Sequence, residues 1–107
     1  MISTHILDTS LGYPAKAVKV TLEQKINNEW SEIGSGQTND DGRFAFENPF
    51  EKGLYRIQFF TQDYFKKNGQ ESFFLDTPVA FEIKDTSRKY HVPLLLNPFG
   101  YSTYRGS

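Results

Sequence analysis

Several short segments alternate apolar and polar residues with a period of two, and this pattern constrains the fold most strongly. Val18, Val20 and Leu22 alternate with polar residues, and segments 55–59 and 79–84 repeat the pattern. Successive side chains of a strand point to opposite faces of its sheet, so this period predicts strands with one buried face. The remaining predicted strands cover residues 30–37, 43–46 and 90–96, with His5 in a first strand at the N-terminus.

Turn-forming residues separate these segments. Asn27 and Asn28 predict a hairpin turn, because Asn tolerates positive φ. The run 39–42, Asn-Asp-Asp-Gly, is a stronger turn signal, and the strand after it is predicted to end at Asn48-Pro49. A further turn is predicted at Asn97-Pro98.

Residues 61–69 break the alternation and predict one short helix. Thr61 is its expected N-cap, Lys66 and Lys67 occupy its last turn, and Asn68-Gly69 follows as a C-cap signal. Seven or eight short strands with one helix are typical of an antiparallel β-sandwich. The predicted fold class is therefore all-β.

Length and composition exclude several classes of function. A chain of 107 residues fits one domain, residues 1–107, and its 16% aromatic content can supply a core. With 12 basic and 13 acidic residues, neither nucleic acid nor an anionic membrane is an expected partner. The absence of Cys excludes thiolate chemistry and Cys-based metal sites, and two His are too few for a His-rich metal site. We expect no metal.

The N-terminus lacks the basic and apolar regions of a secretory leader, which predicts a cytoplasmic protein. The apolar run 92–96 is far shorter than the roughly 20 residues that cross a bilayer.

Three residues are candidates for chemistry near neutral pH. His5 and His91 are the only imidazoles, and they share a site if the first and last strands are neighbours. Arg43 follows the Asp41-Gly42 turn, and its guanidinium offers paired donors to an anion. The alternative is that all three are ordinary, partly exposed strand residues.

The polar, aromatic tail 101–107 either frays or docks beside the last strand. Docked, its hydroxyls and Arg105 can line a polar pocket. A serine-hydrolase mechanism is disfavoured, because no Gly-x-Ser-x-Gly elbow occurs.

Three stretches together resemble the 5-hydroxyisourate hydrolases, the transthyretin-related proteins of urate degradation. These stretches are residues 3–8 with 12–15, residues 38–43, and residues 91–96 with 98–107. The terminal Tyr-Arg-Gly-Ser, residues 104–107, is the most specific part, because transthyretin itself lacks it.

The resemblance implies two four-stranded sheets, a homotetramer and active sites between its dimers. It implies His5, Arg43 and His91 as catalytic residues and Tyr104 and Ser107 as substrate-binding residues. The implied reaction is hydrolysis of 5-hydroxyisourate to 2-oxo-4-hydroxy-4-carboxy-5-ureidoimidazoline without a cofactor.

These residue types suit that reaction. A neutral His can deprotonate the attacking water, and Arg43 can stabilise the developing oxyanion. Either His is a candidate for the base. Two other classes stay open: a non-catalytic carrier of small aromatic ligands on the transthyretin fold, and a generic β-sandwich accessory module.

Overall fold

The computed structural model describes residues 1–47 and 50–107 and shows a two-layer β-sandwich with one helix. This confirms the predicted fold class. The strand end predicted at Asn48-Pro49 lies outside the described residues. The strands are β1 (Ile2–Asp8), β2 (Tyr13–Pro14), β3 (Lys19–Ile26), β4 (Glu29–Gln37), β5 (Arg43–Phe46), β6 (Gly53–Phe59), β7 (Thr77–Ile83), β8 (Tyr90–Asn97) and β9 (Gly100–Thr103).

The two sheets differ in strand number. One sheet has the order β4-β3-β6-β7, as expected for four strands. The other has the order β2-β1-β8-β9 and a fifth strand, β5, because β2 and β5 pair with different parts of β1. The β1–β8 pair is parallel, whereas every other described pair is antiparallel. The prediction of a purely antiparallel sandwich is wrong for this one pair, whose strands come from opposite ends of the chain.

The core lies between the sheets and uses the alternation seen in the sequence. Val20 and Leu22 of β3 and Ile57 of β6 are fully buried. From the other sheet, β1 contributes the buried Ile2 and Ile6, and β8 contributes the buried Leu94. These aliphatic side chains pack with large aromatic ones, of which Tyr55, Phe59 and Phe65 are the most completely buried.

The β3–β4 hairpin confirms the predicted Asn turn. Asn27 and Asn28 have φ angles of 52° and 65°, the left-handed pair that a two-residue hairpin requires. Farther along β4, a Cβ on Gly36 would lie 2.2 Å from the ring of Phe44. The glycines that interrupt β4 therefore make room for the aromatic side chains of β5.

The helix α1 (Thr61–Lys67) confirms the predicted segment but not its N-cap. Phe60 occupies the N-cap, and Thr61 is the first helical residue. The Thr61 hydroxyl is buried and lies 3.0 Å from Thr77 Oγ1, because α1 packs against the start of β7. Gly69, with φ +71°, follows the C-cap as expected. None of the described residues forms a helix that is long and apolar enough to cross a membrane.

A buried carboxylate joins β1 to α1. Asp8, the last residue of β1, is fully buried. Its Oδ1 accepts hydrogen bonds from Ser10 and from the Leu11 backbone, and its Oδ2 accepts one from Tyr64 Oη at 2.7 Å. Burial is the main cause that raises the pKa of the Tyr64 phenol, and the hydrogen bond to Asp8 raises this pKa further. The phenol therefore stays protonated and donates this bond at any physiological pH.

We predict that Tyr64→Phe lowers the free energy of unfolding by about 1–3 kcal/mol, because Asp8 Oδ2 is left buried without a donor. Urea unfolding measures the loss. Tyr101→Phe, at an exposed ring, is the matched control. Equal stability of the two variants would contradict a stabilising role for the bond.

Candidate active site

The predicted His and Arg residues lie on the outer face of the five-stranded sheet that contains β1, β5 and β8. In the antiparallel β1–β5 register, His5 lies directly opposite Arg43. In the parallel β1–β8 register, Ser3 lies opposite His91 and His5 lies opposite Pro93. Residues two apart on a strand share a face, so Ser3 and His5 lie on one surface of the sheet. Their partners, His91 on β8 and Arg43 on β5, lie on the same surface.

A depression of about 380 Å³ opens at this surface. Its lining includes side chains from β1, β5 and β8 and the last residue of the chain. These residues are Met1, Ser3, Thr4, Asn39, Arg43, Phe44, Ala45, Lys89, His91 and Ser107. The tail reaches the depression because β9 returns along β8 and the Gly106 N–H donates to the His91 carbonyl at 2.9 Å.

The turn before β5 fixes where Arg43 begins its strand. Asn39 Oδ1 accepts hydrogen bonds from the backbone N–H groups of Asp41 and Arg43, each at 3.0 Å. Gly42 has φ +71°, and a Cβ there would lie 2.6 Å from the Ile6 carbonyl oxygen. The turn therefore needs Asn and Gly at these positions, and it places Arg43 next to His5.

His91 has the environment of a neutral imidazole. Its Nδ1 lies 2.8 Å from Ser3 Oγ, and the residue is half-buried. Burial lowers the pKa of His91 from its ordinary 6.5, and the charges of Arg43 and His5 lower it further. When Nδ1 carries the proton, it donates to Ser3 Oγ, and Nε2 is then free to accept a proton.

The surroundings of His91 carry fixed positive charge. The Arg43 side chain is exposed, so its guanidinium can turn towards a ligand. Lys89 also lines the depression and adds a second cationic side chain. A neutral base can deprotonate water while a neighbouring cation stabilises the developing oxyanion.

The five predicted site residues do not all converge. His91, Arg43 and Ser107 line one depression, and His5 lies beside it on β1. Tyr104 lies on the other flank of His91, where it is 59% exposed and lines a separate cavity of about 220 Å³ with β7. The catalytic and binding roles of these residues stay predictions.

Two residues of the depression, Ser3 and Lys89, were not predicted as site residues. Ser3 shares the outer face of β1 with His5, but only the β1–β8 register shows that it meets His91. Lys89 precedes β8 and has no motif of its own. Within residues 1–47 and 50–107, no three His, Cys, Asp or Glu side chains are grouped as a metal ion would require.

The comparisons with known proteins match almost the whole chain. A profile of the HIUase/Transthyretin family matches residues 2–106. A 5-hydroxyisourate hydrolase of Salmonella dublin is 46% identical over 110 residues, which cover 100% of this chain and 81% of that protein.

Two solved structures share the fold at similar coverage. The 5-hydroxyisourate hydrolase of Klebsiella pneumoniae has a TM-score of 0.87 and 39% identity, covering 99% of this chain and 98% of its own. Sea bream transthyretin in complex with thyroxine has a TM-score of 0.92 and 32% identity, covering 98% and 93%. Because a hydrolase and a transthyretin both match, the fold alone does not separate catalysis from transport.

We predict that Arg43→Gln raises the pKa of His91, because it removes a cation that disfavours the imidazolium. Proton NMR of the two His rings follows the titration, with His5→Asn to assign them. Arg88→Gln, at an exposed residue, is the matched control. An unchanged His91 titration in Arg43→Gln would contradict electrostatic contact between these two residues.

Proposed function

The chain belongs to the HIUase/Transthyretin family, and we propose that it hydrolyses 5-hydroxyisourate in the depression around His91. The observation that carries the proposal is the half-buried His91, bonded to Ser3 and accompanied by Arg43 in one depression. Family membership alone leaves both a hydrolase and a carrier open. This set of side chains suits water activation.

In the proposed reaction, His91 is the general base. A water molecule attacks the electrophilic ring carbonyl carbon, and His91 Nε2 takes its proton. The new carbon–oxygen bond replaces the ring carbon–nitrogen bond, and the imidazolium returns the proton to the leaving nitrogen. The product is the ring-opened acid 2-oxo-4-hydroxy-4-carboxy-5-ureidoimidazoline. The lowered pKa of His91 keeps the imidazole neutral before each turnover near pH 7.

Other residues have supporting roles in this proposal. Arg43 stabilises the oxyanion that forms on the carbonyl oxygen. His5, which lies directly opposite Arg43, orients the Arg43 guanidinium. Ser107, which lines the depression, orients the substrate. Tyr104 lies in the separate cavity on the other flank of His91, where its side chain is exposed. Its predicted contact with the substrate therefore requires a second subunit that joins this flank to the depression.

The second candidate function is a carrier of small aromatic ligands. Sea bream transthyretin in complex with thyroxine shares the fold, but the hydrolase relatives are more similar in sequence, at 39% and 46% identity against 32%, and favour hydrolysis over this alternative. A carrier does not need a base beside a fixed cation. Loss of His91 and Arg43 would therefore leave carrier function largely intact, whereas it would abolish hydrolysis.

We also infer a homotetramer whose active sites lie between dimers. The depression opens on an outer sheet face that exposes Arg43, Leu95 and Ser102. The edge strands β7 and β9 are free to pair with a second copy. Size-exclusion chromatography with light scattering tests this state, and a monomer at assay concentrations would contradict it. The cytoplasmic location stays a prediction, which cell fractionation tests.

We predict that His91→Asn lowers kcat/KM by a factor of roughly 10² to 10⁴, the contribution of a general base. The assay follows the ultraviolet absorbance of fresh 5-hydroxyisourate, generated from urate by urate oxidase. His5→Asn is the matched variant and is expected to lose less, because His5 flanks the depression. Near-normal turnover by folded His91→Asn would remove His91 as the base.

A further inference from the structure

Arg105 lies outside the depression that holds Ser107, on the other flank of His91. Its guanidinium carbon is 4.5 Å from the centroid of the Tyr90 ring. This distance is that of a cation–π contact. The contact places Arg105 over the first residue of β8, immediately before His91 in the chain.

Tyr90 provides a rigid surface for this contact. The residue is 6% exposed, and its ring stacks on Phe81 at 6.4 Å with an interplanar angle of 24°. Its Oη accepts hydrogen bonds from the backbone N–H groups of Lys84 at 3.1 Å and Asp85 at 3.0 Å. The Asp85 bond is the main cause of a lowered pKa for the Tyr90 phenol, to which Arg105 adds. The ring is therefore held by its contact with Phe81 and by two hydrogen bonds to its hydroxyl oxygen.

The residue after Arg105 packs directly against the imidazole. The Gly106 N–H donates to the His91 carbonyl at 2.9 Å. A Cβ on Gly106 would lie 2.5 Å from His91 Cδ2 and 3.0 Å from Pro93 Cγ, so only a glycine fits this approach. Tail backbone thus covers one side of the imidazole, and Ser3 bonds its Nδ1.

The contacts that hold the tail divide into two parts. Upstream, β9 pairs with β8, and the Thr103 hydroxyl donates to the Pro93 carbonyl at 2.7 Å. Downstream, beyond the end of β9, the Arg105–Tyr90 contact and the Gly106–His91 bond continue the attachment. Arg105 is thus the side chain that attaches the tail to β8 between the end of β9 and Ser107.

We propose that Arg105 is a positioning residue: by stacking on Tyr90, it holds Gly106 against the His91 ring and Ser107 in the depression. The effect on turnover rests on the proposed hydrolase function. The docking of the tail does not, because it follows from contacts within the chain. Loss of Arg105 is expected to let the tail leave His91, which exposes the imidazole to water and changes its orientation.

Arg105→Gln tests this proposal by two independent measurements. In the hydrolysis assay, kcat/KM is expected to fall by about two- to fivefold, the range of an exposed cation–π contact. In proton NMR, the pKa of His91 is expected to rise towards its ordinary value, because burial is the main cause that lowers it. The other charged groups around the ring, Arg43, His5 and Lys89 on one flank and Glu82 on the other, are unchanged in this variant.

Two further variants separate positioning from a general effect of charge. Arg105→Lys keeps a cation over the ring and is expected to restore much of both properties. Arg88→Gln removes an exposed Arg from the loop before β8 and is expected to leave both unchanged. Urea unfolding of each variant shows whether global stability changes, which the proposal does not require.

The outcomes distinguish the two proposals. A His91 titration and a kcat/KM in Arg105→Gln equal to those of Arg88→Gln would overturn the positioning role. A raised His91 pKa in Arg105→Gln, in a protein whose native form does not accelerate 5-hydroxyisourate decay, would support the docking of the tail and overturn the hydrolase function. Equal losses in Arg105→Lys and Arg105→Gln would exclude the cation–π contact as the cause.

Discussion

The parallel pairing of β1 with β8 is the interaction on which the site depends. It joins residues 88 positions apart in the chain and sets Ser3 beside His91. Through β1, the same register brings Arg43 of β5 to this surface. A slip of one residue would turn His5 or His91 into the core, so burial of Ile2, Ile6 and Leu94 on the inner face fixes the outer face as well.

The electrostatics of the site follow from this placement. A His in water at pH 7 is already mostly neutral, but a neighbouring oxyanion or carboxylate would favour its protonation. Burial and the nearby charges of Arg43 and His5 act in the opposite direction at His91. In the proposed reaction, the guanidinium that helps to lower the pKa of His91 also stabilises the anion formed after attack. One cation therefore serves two stages of the proposed reaction.

Local patterns predicted much of the fold. The structure confirms the buried Val20 and Leu22 of β3, the Asn27-Asn28 hairpin and the helix near 61–69, all of which depend on neighbouring residues. Val18 is buried but precedes β3, and Thr21, between the two apolar residues, is buried as well. The N-cap prediction for Thr61 was wrong because packing against Thr77 uses its hydroxyl. Such a contact joins distant segments and leaves no local signal.

The site was predictable by residue type and by resemblance, but not by geometry. His5 and His91 are the only imidazoles in the sequence, and Arg43 follows the Asp41-Gly42 turn. The contact between Ser3 and His91 requires the parallel register, and the place of Arg105 requires knowing that Tyr90 faces the tail. A sequence pattern of period two states which face a residue occupies but not which strand lies next to it.

The pH dependence of kcat/KM for 5-hydroxyisourate hydrolysis, compared with the NMR titration of His91, tests the central claim most directly. We expect an acid limb at the pKa of His91, below the ordinary 6.5, with activity lost as the pH falls and the imidazole becomes protonated. Hydrolysis whose pH dependence is unrelated to the titration of His91 would contradict its role as the base.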